Sequence, residues 1–145
     1  MKVRCLYNKG EALRIYEYKP LREDMIGRFG ATGYSEYNGL DIGAEYLVMG
    51  LIIFETYQAY LIDSNGFISA SPCQLFDVID EKTSPNWNLR TIDKNEDVYP
   101  FIQMIIGYPE LCSDKKAYEK LIVEKEEEAQ RIYFRRKIEL ELELS

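Results

Sequence analysis

The 145 residues include no histidine, which removes the commonest general base, the commonest metal ligand and the usual partner of a nucleophilic serine or cysteine. Cys5, Cys73 and Cys112 are an odd, widely spaced set with no C-x-x-C pair, so they outline neither a disulfide framework nor a zinc site. Cys73, after Ser71-Pro72, has no histidine to activate it and reads as a buried structural thiol. Acid–base chemistry would fall to carboxylates, with Asp63, Asp77, Asp80 and Glu110 as candidates. Nothing in their spacing forces two together, and acids at hairpin ends and after strands ordinarily form turns and caps. Asp93-Lys94-Asn95-Glu96-Asp97 lacks the glycine and the spacing of a calcium loop. Gly27, Gly30 and Gly33 are not a phosphate-binding fingerprint, because no strand feeds them and no helical pattern follows. No catalytic set, metal site or cofactor is expected.

The same carboxylates serve recognition differently. Asp77, Asp80 and Glu81 stand near Phe76 and Trp87 in the chain, and Asp93, Glu96 and Asp97 follow shortly after, flanked by Tyr99 and Phe101. Acid beside aromatic anchors is the composition of a patch that captures a basic protein, since aromatics carry binding energy and carboxylates raise the encounter rate. The expected partner-binding residues are Asp77, Asp80, Glu81, Trp87, Asp93, Glu96, Asp97 and Tyr99. Trp87 has a plainer reading too, as a packing residue.

Charge distribution supports the patch. Residues 1–35 hold seven basic and four acidic side chains, residues 36–110 three and twelve, and residues 111–145 eight and nine, so the central part carries the excess behind the net charge of −7. Such a field repels phosphate backbones and attracts basic proteins. Acidity for solubility alone is the alternative. The longest apolar run, Tyr46 to Phe54, is too short to span a bilayer, and the alternating start Met1 to Tyr7 lacks the form of a secretory signal. A reducing, cytoplasmic setting is expected, with neither nucleic acid nor membrane as partner.

At this length and 46% apolar content the expectation is a single domain over residues 1–145. Lys2 to Tyr7 reads as a strand, turned by Asn8-Lys9-Gly10 into a second run through Leu13, Ile15 and Tyr16. Lys19 to Gly43 reads as a long irregular excursion. Glu45 to Glu55 and Tyr57 to Asp63 are strand-like, with a bend or bulge at Gly50, and Asn65-Gly66 predicts a hairpin returning through Phe67 to Ser71 before Pro72. Val98 to Tyr108 is a short helix or a buried strand. Ser113 predicts an N-cap for a helix over 114–136, whose Glu127 and Arg131 stand at i and i+4. The alternation of Ile138, Leu140, Leu142 and Leu144 with glutamates predicts a terminal strand over 137–144, against the helical preference of Leu and Glu.

The block from Leu40-Asp41-Ile42-Gly43-Ala44-Glu45-Tyr46 through Tyr60-Leu61-Ile62-Asp63 to Leu75-Phe76-Asp77-Val78-Ile79-Asp80, Pro85 and Trp87 resembles small bacterial domains of SH3-like barrel type. Many of these occur as immunity proteins of polymorphic toxin or contact-dependent inhibition systems. The resemblance covers about a third of the chain and implies a binding rather than a catalytic role. Together these readings predict an α+β fold: a small, strongly bent antiparallel sheet or partly open barrel over about 37–90, with a long helix toward the C-terminus. The expected function is neutralisation of a basic toxin domain such as a nuclease. The alternatives are a small carboxylate-dependent enzyme and a regulatory or phage-encoded interaction module.

Overall fold

A computed structural model of the chain describes residues 1–93, 95, 96 and 101–144. In chain order the strands are β1 (Lys2–Cys5), β2 (Glu45–Leu47), β3 (Gly50–Phe54), β4 (Gln58–Ser64), β5 (Phe67–Pro72), β6 (Phe76–Asp80), β7 (Asn88–Thr91) and β8 (Ile102–Gly107). Two α-helices follow, α1 (Pro109–Ser113) and α2 (Glu127–Leu144), with a π-helical turn at Glu119–Val123 between them. The strands form two open antiparallel sheets rather than a closed barrel, in the orders β2-β1-β6 and β5-β4-β3-β8-β7.

Strand β4 explains why there are layers on both sides of the larger sheet. Ala59, Tyr60, Leu61 and Ile62 are all buried, and because alternate side chains leave a strand on opposite faces they feed two different cores. Ala59 and Leu61 join Ile52, Ile105, Leu111, Leu121 and Tyr133 under the helices. Tyr60 and Ile62 join Val3, Val48, Leu75 and Phe76 under the small sheet. The chain passes between the sheets three times, through buried Val48 and Met49, through a 3-10 turn at Cys73–Leu75, and through residues 81–87 between β6 and β7. The expected bend at Gly50 falls at the first crossing. A side chain there would meet the Ile106 carbonyl oxygen at 2.8 Å.

The hairpin turn is as expected: Asn65 and Gly66 both have positive φ, 51° and 87°, between paired β4 and β5, as a primed two-residue turn requires. The excursion over 19–43 contains no strand or helix and is organised by two arginines. Arg14 donates through Nη2 to the carbonyls of Arg22, Glu23 and Met25. Arg28 donates through Nε to Tyr16 at 2.8 Å and through Nη1 to the Thr56 carbonyl at 3.1 Å. Gly27 and Gly33 leave the room taken by the carboxylates of Glu17 and Glu23, each 1.8 Å from where a Cβ would stand, so this loop places negative groups where a phosphate loop would present donors.

Three expectations are corrected. Residues Gly10–Tyr16 form a 3-10 helix, not a returning strand. β1 is the central strand of its sheet, flanked by β2 and β6, which leaves no edge for a hairpin partner, and Ile15 is 81% exposed. The helix expected over 114–136 is broken: Ser113 ends α1, and Lys125 takes a left-handed conformation, φ 53°, before α2 begins. The terminal strand is helix to Leu144. A strictly alternating sequence wound into a helix produces two i, i+4 stripes on different faces. Leu140 and Leu144 turn toward the core, whereas Ile138 and Leu142 are 61% and 71% exposed. The segment pairs with no strand, and the helical preference of Glu and Leu prevails.

Leu140→Ala is therefore expected to lose about 2–4 kcal/mol of unfolding free energy, and Ile138→Ala about 0.5 kcal/mol or less. Urea titration of both variants reads the difference, and similar losses would argue for a strand with both side chains in the core.

Candidate interaction surfaces

Residues 29–81 contain no lysine or arginine but eight acids: Glu36, Asp41, Glu45, Glu55, Asp63, Asp77, Asp80 and Glu81. The two ends of the chain supply counter-charge to two of them. Arg4 on β1 pairs with Glu45 at 3.2 Å. Lys137 on α2 pairs at 2.8 Å with Asp63, whose side chain is 6% exposed. The Asp63 Oδ1 also accepts a 3.0 Å hydrogen bond from the Tyr133 hydroxyl. Burial first and the Asp63 charge second hold the Tyr133 phenol far above its ordinary pKa, so it keeps its proton at neutral pH and donates. This trio ties β4 to α2. It brings together an acid, a phenol and an amine, with both donors committed to one oxygen.

The other six acids, Glu36, Asp41, Glu55, Asp77, Asp80 and Glu81, are exposed and make no ion pair among the described residues. Asp77 and Asp80 lie on β6, the edge strand of the small sheet, with Glu81 just beyond. Their cross-strand neighbours are basic: Asp77 stands opposite Arg4, and Asp80 opposite Lys2. The register shifts between Lys2 and Val3, so β6 carries a bulge as well as two carboxylates, both of which discourage uncontrolled strand addition. Val78 and Ile79 are 41% and 38% exposed. Asp80 also closes a local turn by accepting from the Lys82 amide at 2.9 Å.

Trp87 is half-buried and packs against both cores, so it cements the two layers. From there the chain enters β7, whose first residue Asn88 pairs with Gly107 and whose last, Thr91, pairs with Met104. Asp93 and Glu96 lie beyond that far end. Asp93 forms a turn by accepting from Asn95 at 2.9 Å, and Glu96 is the counter-ion of Arg90 at 2.5 Å. Asp77, Asp80 and Glu81 thus lie on or next to one strand of the small sheet, whereas Asp93 and Glu96 follow a strand of the larger one. Asp97 and Tyr99 lie outside the described residues.

The remaining titratable groups are structural. Glu110 on α1 accepts from Arg136 Nε at 2.8 Å and pairs with Arg135 at 2.8 Å, fastening α1 to α2. Asp114 pairs with Lys120 at 2.9 Å. Both line a cleft of about 280 Å³ between α1, the π turn and α2, and both carboxylates are already matched there. Burial pushes the Cys73 thiol up to about 11, and Cys5 and Cys112 are buried and raised as well, which keeps all three as thiols at neutral pH. Among the described residues no three His, Cys, Asp or Glu side chains converge to hold a metal ion, and no helix is long and apolar enough to cross a membrane.

One surface was not legible in the sequence: an aromatic groove of about 700 Å³ formed by Arg28, the β3–β4 turn, Phe101 and the π turn. Its residues come from four separate parts of the chain, so no local pattern could announce it. The unbroken run of acids without bases was visible and marks Glu55 at its rim. No family model, curated protein or solved structure matches the chain.

The Glu110 cluster gives a pH prediction. The Arg136 guanidinium holds the Glu110 carboxyl below its ordinary value of 4.5, so its contribution to stability is complete above that value and is lost as pH falls through the lowered one. Glu110→Gln should flatten the acid limb of a melting-temperature profile, Arg136→Met should flatten it less because Arg135 still faces the carboxylate, and the double variant should go no further than Glu110→Gln. Additive effects would mean that the pair does not act as a unit.

Proposed function

We propose that the protein is a binding module that captures a basic partner protein, in the manner of an immunity protein blocking a basic toxin domain such as a nuclease. One observation carries this reading: six of the eight acids in the base-free stretch 29–81 are exposed and form no ion pair among the described residues. Unpaired surface charge costs little in folding but sets a field at encounter distance, and a cation-rich partner would be drawn toward it. The approach is assigned to the β6 edge, where Asp77, Asp80 and Glu81 flank half-exposed Val78 and Ile79. Lys2 and Arg4 behind them narrow the negative surface to the outer rim of the sheet. Trp87, Asp93, Glu96, Asp97 and Tyr99 stay in the proposal as neighbours along the chain, with Glu96 engaged by Arg90.

The SH3-like immunity domains that the central block resembles give this reading its biological form. Two packed sheets with a helix fastened over the larger one offer rigid outer edges, which suits inhibition by occupation. The mechanism is mimicry: carboxylates presented where a nuclease expects phosphates, so that inhibition requires no bond to be made or broken. Being soluble and residing in the cytoplasm belong to the same proposal.

With the co-purifying partner in hand, stopped-flow association should slow steeply as salt rises, because screening shortens the reach of exposed charge. Asp77→Lys, Asp80→Lys and Glu81→Lys together should lower the association rate by roughly ten-fold or more, well beyond the effect of reversing Glu126, Glu127 and Glu128. Salt-indifferent association, equal losses from the two sets, or turnover of a substrate by the purified protein alone would each overturn the reading.

A further inference from the structure

Three departures from regular backbone meet at the aromatic groove. The pairing of β3 with β8 slips between Ile53 and Phe54, leaving Gln103 as an extra residue. Next to the slip Phe101 sits at φ 61° with 74% of its surface exposed, its carbonyl pinned by the Glu55 amide at 2.9 Å. Across the groove Glu119–Val123 winds as a π turn, with the Glu124 amide reaching the Glu119 carbonyl at 2.9 Å. Each feature is costly. A bulky side chain in the left-handed region is strained, a bulge gives up ladder bonds to re-aim a strand, and π turns concentrate where function holds them. Folding alone does not ask for Phe101 to be held out in water, since burial of the ring would favour the opposite arrangement.

The walls define what fits. Phe54 and Tyr57 stack at 4.8 Å between centroids, and Tyr118 meets Phe54 edge-on. Ile122 and Val123 close the far side. Of the two charged residues on the rim, Arg28 is engaged: it donates to the carbonyls of Tyr16 and Thr56, and its guanidinium lies 4.8 Å from the Tyr18 ring centroid and 4.5 Å from that of Phe29. Glu55 is exposed and makes no ion pair among the described residues. An entering group thus meets aromatic and aliphatic surface, with Glu55 open at the edge and the Arg28 guanidinium already turned to backbone carbonyls and aromatic rings.

We infer that this groove anchors one side chain of the basic partner protein, an aromatic or branched aliphatic residue seated between Tyr57, Phe101 and Val123, with an adjacent lysine or arginine facing Glu55. The inference rests on the capture reading and adds to it a division of labour: the β6 acids govern arrival and the groove governs departure.

The test is an amide NMR titration of the full chain with acetylated, amidated tetrapeptides. Gly-Trp-Lys-Gly should shift Glu55, Thr56, Phe101 and Val123 saturably. Gly-Trp-Glu-Gly should bind roughly five- to ten-fold more weakly, and Gly-Ser-Lys-Gly should leave these amides unmoved. Phe101→Gly relieves the strained φ, so its melting temperature should hold or rise while the shifts disappear. A purely structural phenylalanine would lose stability instead. Val123→Glu, at a half-exposed position, provides a second variant in which the shifts should vanish with the fold intact. Absent shifts, equal binding of the Lys and Glu peptides, or groove amides that move with protein concentration alone, which would assign the groove to a second copy, would overturn the inference. Intact peptide shifts with salt-indifferent capture would remove the steering reading alone; salt-sensitive capture without peptide shifts would remove the anchor alone.

Discussion

A strand buried on both faces is the constraint from which the remaining architecture follows. Ala59 and Leu61 look toward the helices, Tyr60 and Ile62 toward the small sheet, so neither layer can be left off without exposing apolar surface. One residue before its end the strand carries Asp63, a carboxylate almost wholly withdrawn from water. A lone ion in that position would be severely destabilising, and α2 resolves this by bringing Lys137 and Tyr133 to the same oxygen. The last helix is thereby fixed to an interior strand of the larger sheet by charge as well as by Tyr133 and Leu140.

Seen from the chain's charge, the same arrangement explains an uneven sequence. A stretch of 53 residues, 29–81, has acids and no bases, and the fold returns β1 and α2 to it from the two ends. Where the returning bases reach, at Glu45 and Asp63, charge contributes to cohesion. Along β6, where Arg4 and Lys2 stand opposite Asp77 and Asp80 without an ion pair among the described residues, and at Glu55, charge is left to the solvent. The functional proposal concerns that remainder, and the aromatic groove adds apolar surface at one of its positions.

How much of this a sequence reveals depends on the range of the interaction responsible. The Asn65-Gly66 hairpin is legible because two adjacent residues adopt positive φ and few residue types do so readily. The long excursion before Gly43 is legible from its scattered glycines and lack of period. The segment after Gly10 is not: Leu13, Ile15 and Tyr16 fit a strand, and only the occupation of both edges of β1 by distant strands forbids it. Lys125 stops a helix without the glycine that ordinarily marks such a stop, so the interruption before α2 had no local sign. At the surface, exposure of Asp77, Asp80 and Glu81 could be anticipated from their spacing. The apposition of Asp77 to Arg4 and of Asp80 to Lys2 could not, because it depends on a pairing across more than seventy residues.

Native-state hydrogen exchange tests the keystone role of the doubly buried strand most directly. The amides of Ala59, Tyr60, Leu61 and Ile62 should open only with global unfolding, and Asp63→Asn should lower their protection by the same free energy as it lowers overall stability. Exchange in this strand that is faster than in β1 or β8, or that ignores the loss of the Asp63 charge, would contradict the account.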